Sequence, residues 1–136
     1  MNIYIDENLP QQLANGFDIL QQPLNVKLKN PVSVKSIASV YGRGAKDEEW
    51  IPKLGAEEAC VVTQDYNIKK TRMQYDLCKE HNLGLFFIKS SKNGLRYIEM
   101  IKFLARHWEQ IINITQLENK PFAFKATPRS SKFEKI

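Results

Sequence analysis

The sequence predicts an α/β fold in which a mostly parallel sheet is flanked by helices. Short apolar segments typical of strands alternate with longer segments of helical periodicity. Several strand segments are apolar at every position, which is typical of parallel strands covered on both faces. The 136 residues, 43% of them hydrophobic, suit one domain with a buried core. We expect a single domain over residues 1–126 and a basic C-terminal tail over residues 127–136.

The first third of the chain is expected to form a strand, a helix and a second strand. Residues 3–5 are β-branched or aromatic, which predicts a buried strand. Apolar residues at helical spacing then predict a helix that begins near Pro10 and ends at Pro23. Alternating apolar residues in 24–28 predict the second strand. Residues 32–40 are compatible with either a short strand or a turn of helix.

The middle of the chain predicts two helices and two strands. Asp47 begins a helix, since Pro52 fits only a first turn and the acidic residues there suit the helix dipole. Residues 60–63 form a compact apolar strand, and Asp65 follows it. A helix is expected from about residue 68 to residue 81, followed by a continuous apolar strand at 85–88.

The C-terminal third predicts one long helix and a final strand. The helix begins near Asn93, and its apolar residues follow a 3-4 rhythm over about five turns. Phe122 and Phe124 alternate with smaller or polar residues in the last strand. Residues 127–136 are polar and basic, which indicates a tail or an arm.

Composition excludes several classes of protein. No apolar run approaches the roughly 20 residues that span a bilayer, and no signal peptide is visible, so we expect a cytoplasmic protein without membrane contact. Cys60 and Cys78 belong to no CxxC motif and have no histidine at a zinc-finger spacing. We therefore interpret them as reduced thiols and expect neither zinc nor heme.

Positive charge is concentrated in the last third of the chain. Residues 1–88 carry 10 basic and 11 acidic side chains, whereas residues 89–136 carry 10 basic and 4 acidic ones. This asymmetry favours a polyanion or an acidic protein as partner. A soluble basic surface without a partner is the alternative interpretation.

Acidic residues follow the predicted strands and begin the helix at Asp47. Asp6 and Glu7 follow the first strand, Asp47 and Glu48 begin the helix, and Asp65 follows the strand at 60–63. Because the carboxyl ends of parallel strands share one edge of a sheet, these groups are expected to lie close together. Hard oxygen ligands without histidine or cysteine suit Mg²⁺ or Mn²⁺. Taken singly, each acid could equally be a turn former or a helix cap.

Three segments that contain these acids resemble motifs of one protein family. Residues 3–10 (IYIDENLP) resemble the opening of PIN-like domains. Residues 42–51 (GRGAKDEEWI) resemble their second acidic motif, and residues 61–65 (VVTQD) resemble the third. The order and spacing are similar to the VapC-type toxin branch, as is the segment 121–125. The resemblance covers residues 1–126 and implies a PIN-like three-layer fold.

The resemblance also implies an activity, a metal and its ligands. It implies a metal-dependent endoribonuclease, the toxin of a type II toxin–antitoxin pair, that hydrolyses RNA phosphodiesters. Its catalytic residues and ligands of Mg²⁺ or Mn²⁺ would be Asp6, Asp47 and Asp65, with Glu7 and Glu48 as helpers.

One position departs from the family pattern. PIN nucleases often carry a further acid about two residues after the third motif, and this chain has Asn67 there. An amide can ligate a metal or hold a water molecule, but it adds no negative charge. A second metal ion would therefore bind more weakly.

Basic residues near the acids suit an RNA substrate, because phosphate contacts position a nucleic acid. The candidates are Arg43, Lys46, Lys69, Lys70 and Arg72. A solvated charged helix face is the alternative interpretation. The implied partners are RNA, a cognate antitoxin protein and a second copy in a homodimer.

Two other functions remain open at this point. The first is a non-catalytic RNA- or protein-binding module on the same fold, which Asn67 favours. The second is a receiver-like phosphoacceptor domain, since such domains also place a carboxyl pair after the first strand. Lys89 after the strand at 85–88 fits that pattern loosely, and the acidic motif at Asp47 fits it poorly.

Overall fold

The computed structural model describes residues 1–65, 68–90 and 93–136, with side chains at all of these positions except 65 and 68–71. The strands are β1 (Asn2–Ile5), β2 (Ser33–Ser36), β3 (Cys60–Asp65), β4 (Gly84–Lys89), β5 (Phe122–Ala126) and β6 (Glu134–Lys135). The helices are α1 (Gln11–Leu24), α2 (Ile37–Tyr41), α3 (Asp47–Ala56), α4 (Ile68–Glu80) and α5 (Tyr97–Leu117).

The strands form one sheet in the order β2-β1-β3-β4-β5-β6. The first five strands pair in parallel, and β6 is antiparallel to β5. The chain moves from β1 to β2 on one side and then returns to β3 on the other side of β1. The crevice at the carboxyl ends of β1 and β3 is therefore a topological switch point, where ligands bind in open α/β sheets.

Helices cover both faces of the sheet, which confirms the predicted α/β class. The strand period of two sends Ile3 and Ile5 to one face, where they pack with α1 and α5. Tyr4 and Val61 point to the other face, where they pack with α2, α3 and the buried side of α4. None of the described helices is long and apolar enough to cross a membrane.

The prediction of a strand at residues 24–28 is wrong. Helix α1 continues through Pro23 to Leu24, and a 3-10 turn follows at Asn25–Lys27. Asn25 holds this turn, because its amide donates to the carbonyl of Val32 at 2.9 Å and accepts from the Val32 N–H at 2.9 Å. Pro23 is tolerated because it lies in the last turn, where a single helical hydrogen bond is lost.

The second strand lies further along the chain, and the ambiguous region contains both predicted structures. Residues Ser33–Ser36 form β2, and residues Ile37–Tyr41 form α2 directly after it. Ser36 ends the strand and caps the helix, since its hydroxyl accepts a hydrogen bond from the Ser39 N–H at 3.4 Å.

The long helix begins later than its apolar pattern indicates, at Tyr97 rather than near Asn93. Arg96 is its N-cap residue, and Glu99 accepts from the backbone N–H of Arg96 at 3.0 Å. This local bond competes with continuation of the helix towards Asn93. By contrast, the predicted starts of α3 at Asp47 and of α4 near residue 68 are confirmed.

Residues 127–136, for which a basic tail or arm is expected, pack onto the sheet edge. Phe133 is only 2% exposed and joins the core beneath α5. Gln110 holds it there by donating to the Phe133 carbonyl at 2.9 Å and accepting from the Phe133 N–H. The burial of Phe133 outweighs the polar character of its neighbours, and Glu134–Lys135 then pairs with β5 as β6.

Candidate acidic active site

Asp6 lies at the carboxyl end of β1 with both side-chain oxygens hydrogen-bonded. Its N–H donates to the Val62 carbonyl at 3.0 Å, which continues the ladder between β1 and β3. Its Oδ2 accepts from the Thr63 hydroxyl at 2.7 Å, and its Oδ1 accepts from the Glu7 N–H at 2.7 Å. Asp6 is 7% exposed, so these donors replace most of its hydration and hold the carboxylate in one orientation.

Asn8 links the chain after β1 to the end of β3. Its amide donates to the Gln64 carbonyl at 3.0 Å and to the Thr63 hydroxyl at 3.3 Å. Sequence reasoning gives Thr63 and Asn8 no role in the site and makes Asn8 a candidate cap for the first helix, whose N-cap residue is Pro10. A polar residue two positions before Asp65 on a buried strand was the available signal for Thr63.

Glu7 connects the same strand end to the loop before α3. Its Oε2 accepts from the Gly44 N–H at 2.8 Å. The loop turns at Gly42 and Gly44, which have φ angles of 88° and 79° that favour glycine. The result is that α3 begins beside the end of β1, although 41 positions separate Asp6 from Asp47 in the sequence.

A cleft of about 330 Å³ opens at this edge of the sheet. The described residues that line it come from the segment after β1, the glycine loop, α3 and α4: Asp6, Glu7, Gly44, Ala45, Lys46, Asp47, Glu48, Met73 and Leu77. The structure thus brings together four of the predicted acids. Lys46 supplies a positive charge at the same cleft, directly before Asp47.

The remaining predicted site residues are only partly described. The backbone of Asp65 ends β3 and pairs with Lys89 of β4, so it lies at the same carboxyl edge. Its side chain, those of Lys69 and Lys70, and all of Asn67 lie outside the described residues. Arg43 and Arg72 are exposed, and neither is among the described residues that line the cleft.

The pKa of the buried Cys78 thiol responds to the negative charge of the cleft. Burial is the main reason why its pKa is raised, and the negative charges of Asp47 and Asp6 raise it further. Both carboxylates therefore act on one buried group of α4. Cys78 stays protonated at neutral pH, so it offers no thiolate to a soft metal ion.

The donor set of the cleft fits a hard divalent cation. The described cleft residues offer carboxylate oxygens and no histidine, which suits Mg²⁺ or Mn²⁺. Within the described side chains, no group of three or more histidine, cysteine or acidic residues is arranged to hold a metal. The third ligand implied by the sequence, Asp65, is one whose side chain is not described.

The protein is thus an α/β protein with a mostly parallel sheet, and its carboxylate-lined cleft lies at the switch point, where the strands end. The family model for the PIN-like domain matches residues 1–90, which contain β1 to β4 and all three acidic motifs. The chain therefore belongs to the PIN-like domain family. No curated protein and no solved structure is significantly similar to the chain.

Proposed function

We propose that this protein is a Mg²⁺- or Mn²⁺-dependent endoribonuclease and the toxin of a type II toxin–antitoxin pair. The observation that carries the proposal is the cleft that Asp6 and Asp47 both line, in a chain of the PIN-like family. PIN-like domains are often nucleases, and an acidic cleft at a switch point suits phosphodiester hydrolysis. The similarity of the motifs to the VapC-type branch supports the toxin assignment.

In this proposal, Asp6, Asp47 and Asp65 hold the cation, and Glu7 and Glu48 add negative charge around it. Such a cation lowers the pKa of a bound water molecule and stabilises charge on the scissile phosphate. Thr63 and the Glu7 N–H keep the Asp6 carboxylate in one orientation. Lys46 at the cleft neutralises part of the charge of an entering phosphate.

The chain would meet its RNA through basic residues around the cleft. Lys46 lines it, and Arg43 is exposed on the same glycine loop. Lys69, Lys70 and Arg72 follow Asp65 in the sequence and complete the proposed set. An acidic antitoxin would compete with RNA for these basic residues. The proposal also includes a homodimer of the chain.

Cleavage of total cellular RNA tests the proposal. We expect discrete fragments with the purified chain and Mn²⁺ or Mg²⁺, and none after EDTA. Asp6→Asn should abolish cleavage and leave the circular dichroism spectrum unchanged. Asp76→Asn makes the same charge change at an exposed position of α4 and should cleave like the parent chain. Equal cleavage by Asp6→Asn would exclude the proposed site.

Metal binding gives a readout that is independent of the RNA target. A cation bound only by the folded state stabilises that state by RT ln(1 + c/Kd) at a free cation concentration c, so the melting temperature rises with that concentration. We expect Mn²⁺ to raise the melting temperature of the parent chain and of Asp76→Asn, and to leave that of Asp6→Asn unchanged. An identical shift in all three proteins would mean that the cation binds elsewhere.

The second candidate is a non-catalytic RNA-binding module, and Asn67 is the observation that favours it. An amide at that position adds no charge for a second cation. Retained RNA affinity without metal-dependent cleavage would favour this candidate. Membership of the PIN-like family does not support the receiver-like alternative.

A further inference from the structure

Positive charge continues along the carboxyl edge of the sheet beyond the acidic cleft. Lys89 ends β4 next to the backbone of Asp65, and Arg96 precedes α5 at the same edge. Lys102 and Arg106 follow in the first half of α5, and both are exposed. The excess of basic residues in the last third of the sequence thus begins beside the proposed site.

Lys102 and Arg106 line a second cleft, of about 170 Å³. They are four residues apart in α5 and therefore lie on one face of the helix. Leu95, Phe103 and Pro128 also line this cleft. We call it the α5 cleft. It lies on the face of the sheet that α1 and α5 cover, so it is distinct from the acidic cleft on the α3–α4 face.

The guanidinium of Arg106 is held in place. Its Nη2 donates to the Pro128 carbonyl at 2.6 Å, and its Cζ lies 5.9 Å from the centre of the Phe103 ring. A guanidinium fixed in this way retains further N–H groups for a phosphate and a planar surface for a base. It also loses less side-chain entropy on binding than a free arginine does.

The charge of the α5 cleft is only partly balanced by Glu99, the acidic residue among the described residues that line it. The Glu99 carboxylate is paired with Arg96 at 3.0 Å, and Lys102 acts on it more weakly. In the part of the chain that the structure describes, Lys102 forms no ion pair within 4.0 Å. Two like charges one turn apart repel each other, and an anionic ligand relieves that repulsion.

Gln64 links the two clefts through hydrogen bonds. Its Oε1 accepts from the Leu95 N–H at 3.4 Å, and Leu95 lines the α5 cleft. Its Nε2 donates to the Asn8 carbonyl at 3.4 Å, and Asn8 contacts the Thr63 hydroxyl that orients Asp6. Strands lie about 4.8 Å apart, so three steps from β1 to β5 amount to about 14 Å along the sheet, and a ligand must also pass from the α3–α4 face to the α5 face. A single strand of several nucleotides is long enough for this path.

We propose that Lys102 and Arg106 bind the phosphodiester backbone of single-stranded RNA, so that a strand bound in the acidic cleft extends across the carboxyl edge onto α5. The choice of RNA as ligand rests on the proposed function. A single strand fits because the α5 cleft is small and holds two cations, one of them a planar guanidinium on which a base can stack. An acidic peptide is the competing ligand.

Binding without cleavage tests this inference. We would measure fluorescence anisotropy of a labelled oligouridine in EDTA over a series of salt concentrations, for the parent chain and for Lys102→Gln/Arg106→Gln. The control is Lys53→Gln/Lys79→Gln, which removes the same charge from the last turns of α3 and α4, at the opposite edge of the sheet. We expect the Kd of the first double variant to rise about tenfold, with a salt slope lower by about 1.4, since each contact with a single strand contributes about 0.7. The control should lose much less affinity.

The outcomes separate this inference from the proposed function. Equal losses of affinity for oligouridine in the two double variants would overturn the proposed α5 site, whether or not the protein cleaves RNA. Tighter binding of a polyglutamate peptide than of oligouridine, lost in Lys102→Gln/Arg106→Gln, would also overturn it in favour of an acidic protein. If the chain binds RNA but does not cleave it, the proposal of a nuclease is rejected and the proposal of the α5 site is retained. If the double variant does not fold, Lys102→Gln alone carries the test.

Discussion

Thr63 and Asp6 are joined across the β1–β3 pair, where the Thr63 hydroxyl donates to Asp6 Oδ2 at 2.7 Å. Thr63 is 1% exposed and Asp6 is 7% exposed, so water contributes little to this contact. A buried carboxylate needs such donors, since desolvation without them is costly. The parallel pairing of two strands therefore orients a proposed metal ligand before any cation binds.

Removal of the Thr63 hydroxyl is expected to destabilise the fold and weaken cation binding. Thr63→Val keeps the shape but leaves Asp6 without one donor, so the free energy of unfolding should fall by about 2 kcal/mol. Urea denaturation measures this loss, and a Mn²⁺ titration measures the affinity. Thr63→Ser keeps the hydroxyl and is the control. Equal stability of the two variants would contradict the role of the bond.

Loss of the Glu7 carboxylate is expected to loosen the loop before α3. The Glu7–Gly44 bond ties this loop to the end of β1, so Glu7→Ala should expose residues 42–46 to protease. Trypsin cleavage after Arg43 or Lys46 should become faster under native conditions. Glu7→Gln retains an oxygen that accepts from the Gly44 N–H and should resist cleavage better. If both variants are cut at the parental rate, this bond does not hold the loop.

Substitution by alanine is expected to lower the free energy of unfolding at Gly84 and to raise it at Gly16. A Cβ at Gly84 would overlap the ring of Phe122, its register partner on β5. Gly84→Ala should therefore lower the free energy of unfolding by about 1–3 kcal/mol. Gly16 lies inside α1 with nothing near the position of a Cβ, so Gly16→Ala should raise it by about 0.5–1 kcal/mol. Denaturant melts in which both variants change the free energy of unfolding in the same direction would contradict this prediction.

Acid is expected to destabilise the protein through His107. Burial, followed by the charge of Arg106, lowers the pKa of His107 from its ordinary value of 6.5. Below pH 6.5 the unfolded chain binds a proton that the folded chain still excludes, so stability falls as the pH falls, by at most about 1.4 kcal/mol per pH unit. His107→Gln removes this titration. Parallel stability curves for the two proteins between pH 7 and pH 5 would contradict the prediction.

The sequence by itself determined the features that depend on local patterns. Continuous apolar runs marked β3 and β4, and Asp47 with Pro52 marked the start of α3. The 3-4 rhythm marked α5, whose apolar face packs against the sheet. The positions of the acids followed from the ends of these elements. Such features are decided within one or two turns of chain, where propensity and periodicity act.

Tertiary structure decided the rest, because the deciding contacts reach residues outside the segment whose pattern predicted the element. Residues 24–28 alternate like a strand, but the bonds between Asn25 and Val32 hold a 3-10 turn there. Residues 127–136 look like a polar tail, but burial of Phe133 recruits them to the sheet. The Glu7–Gly44 bond brings Asp47 to Asp6 across 41 positions. A local pattern does not encode these pairings, since their free energy appears only when the partners meet.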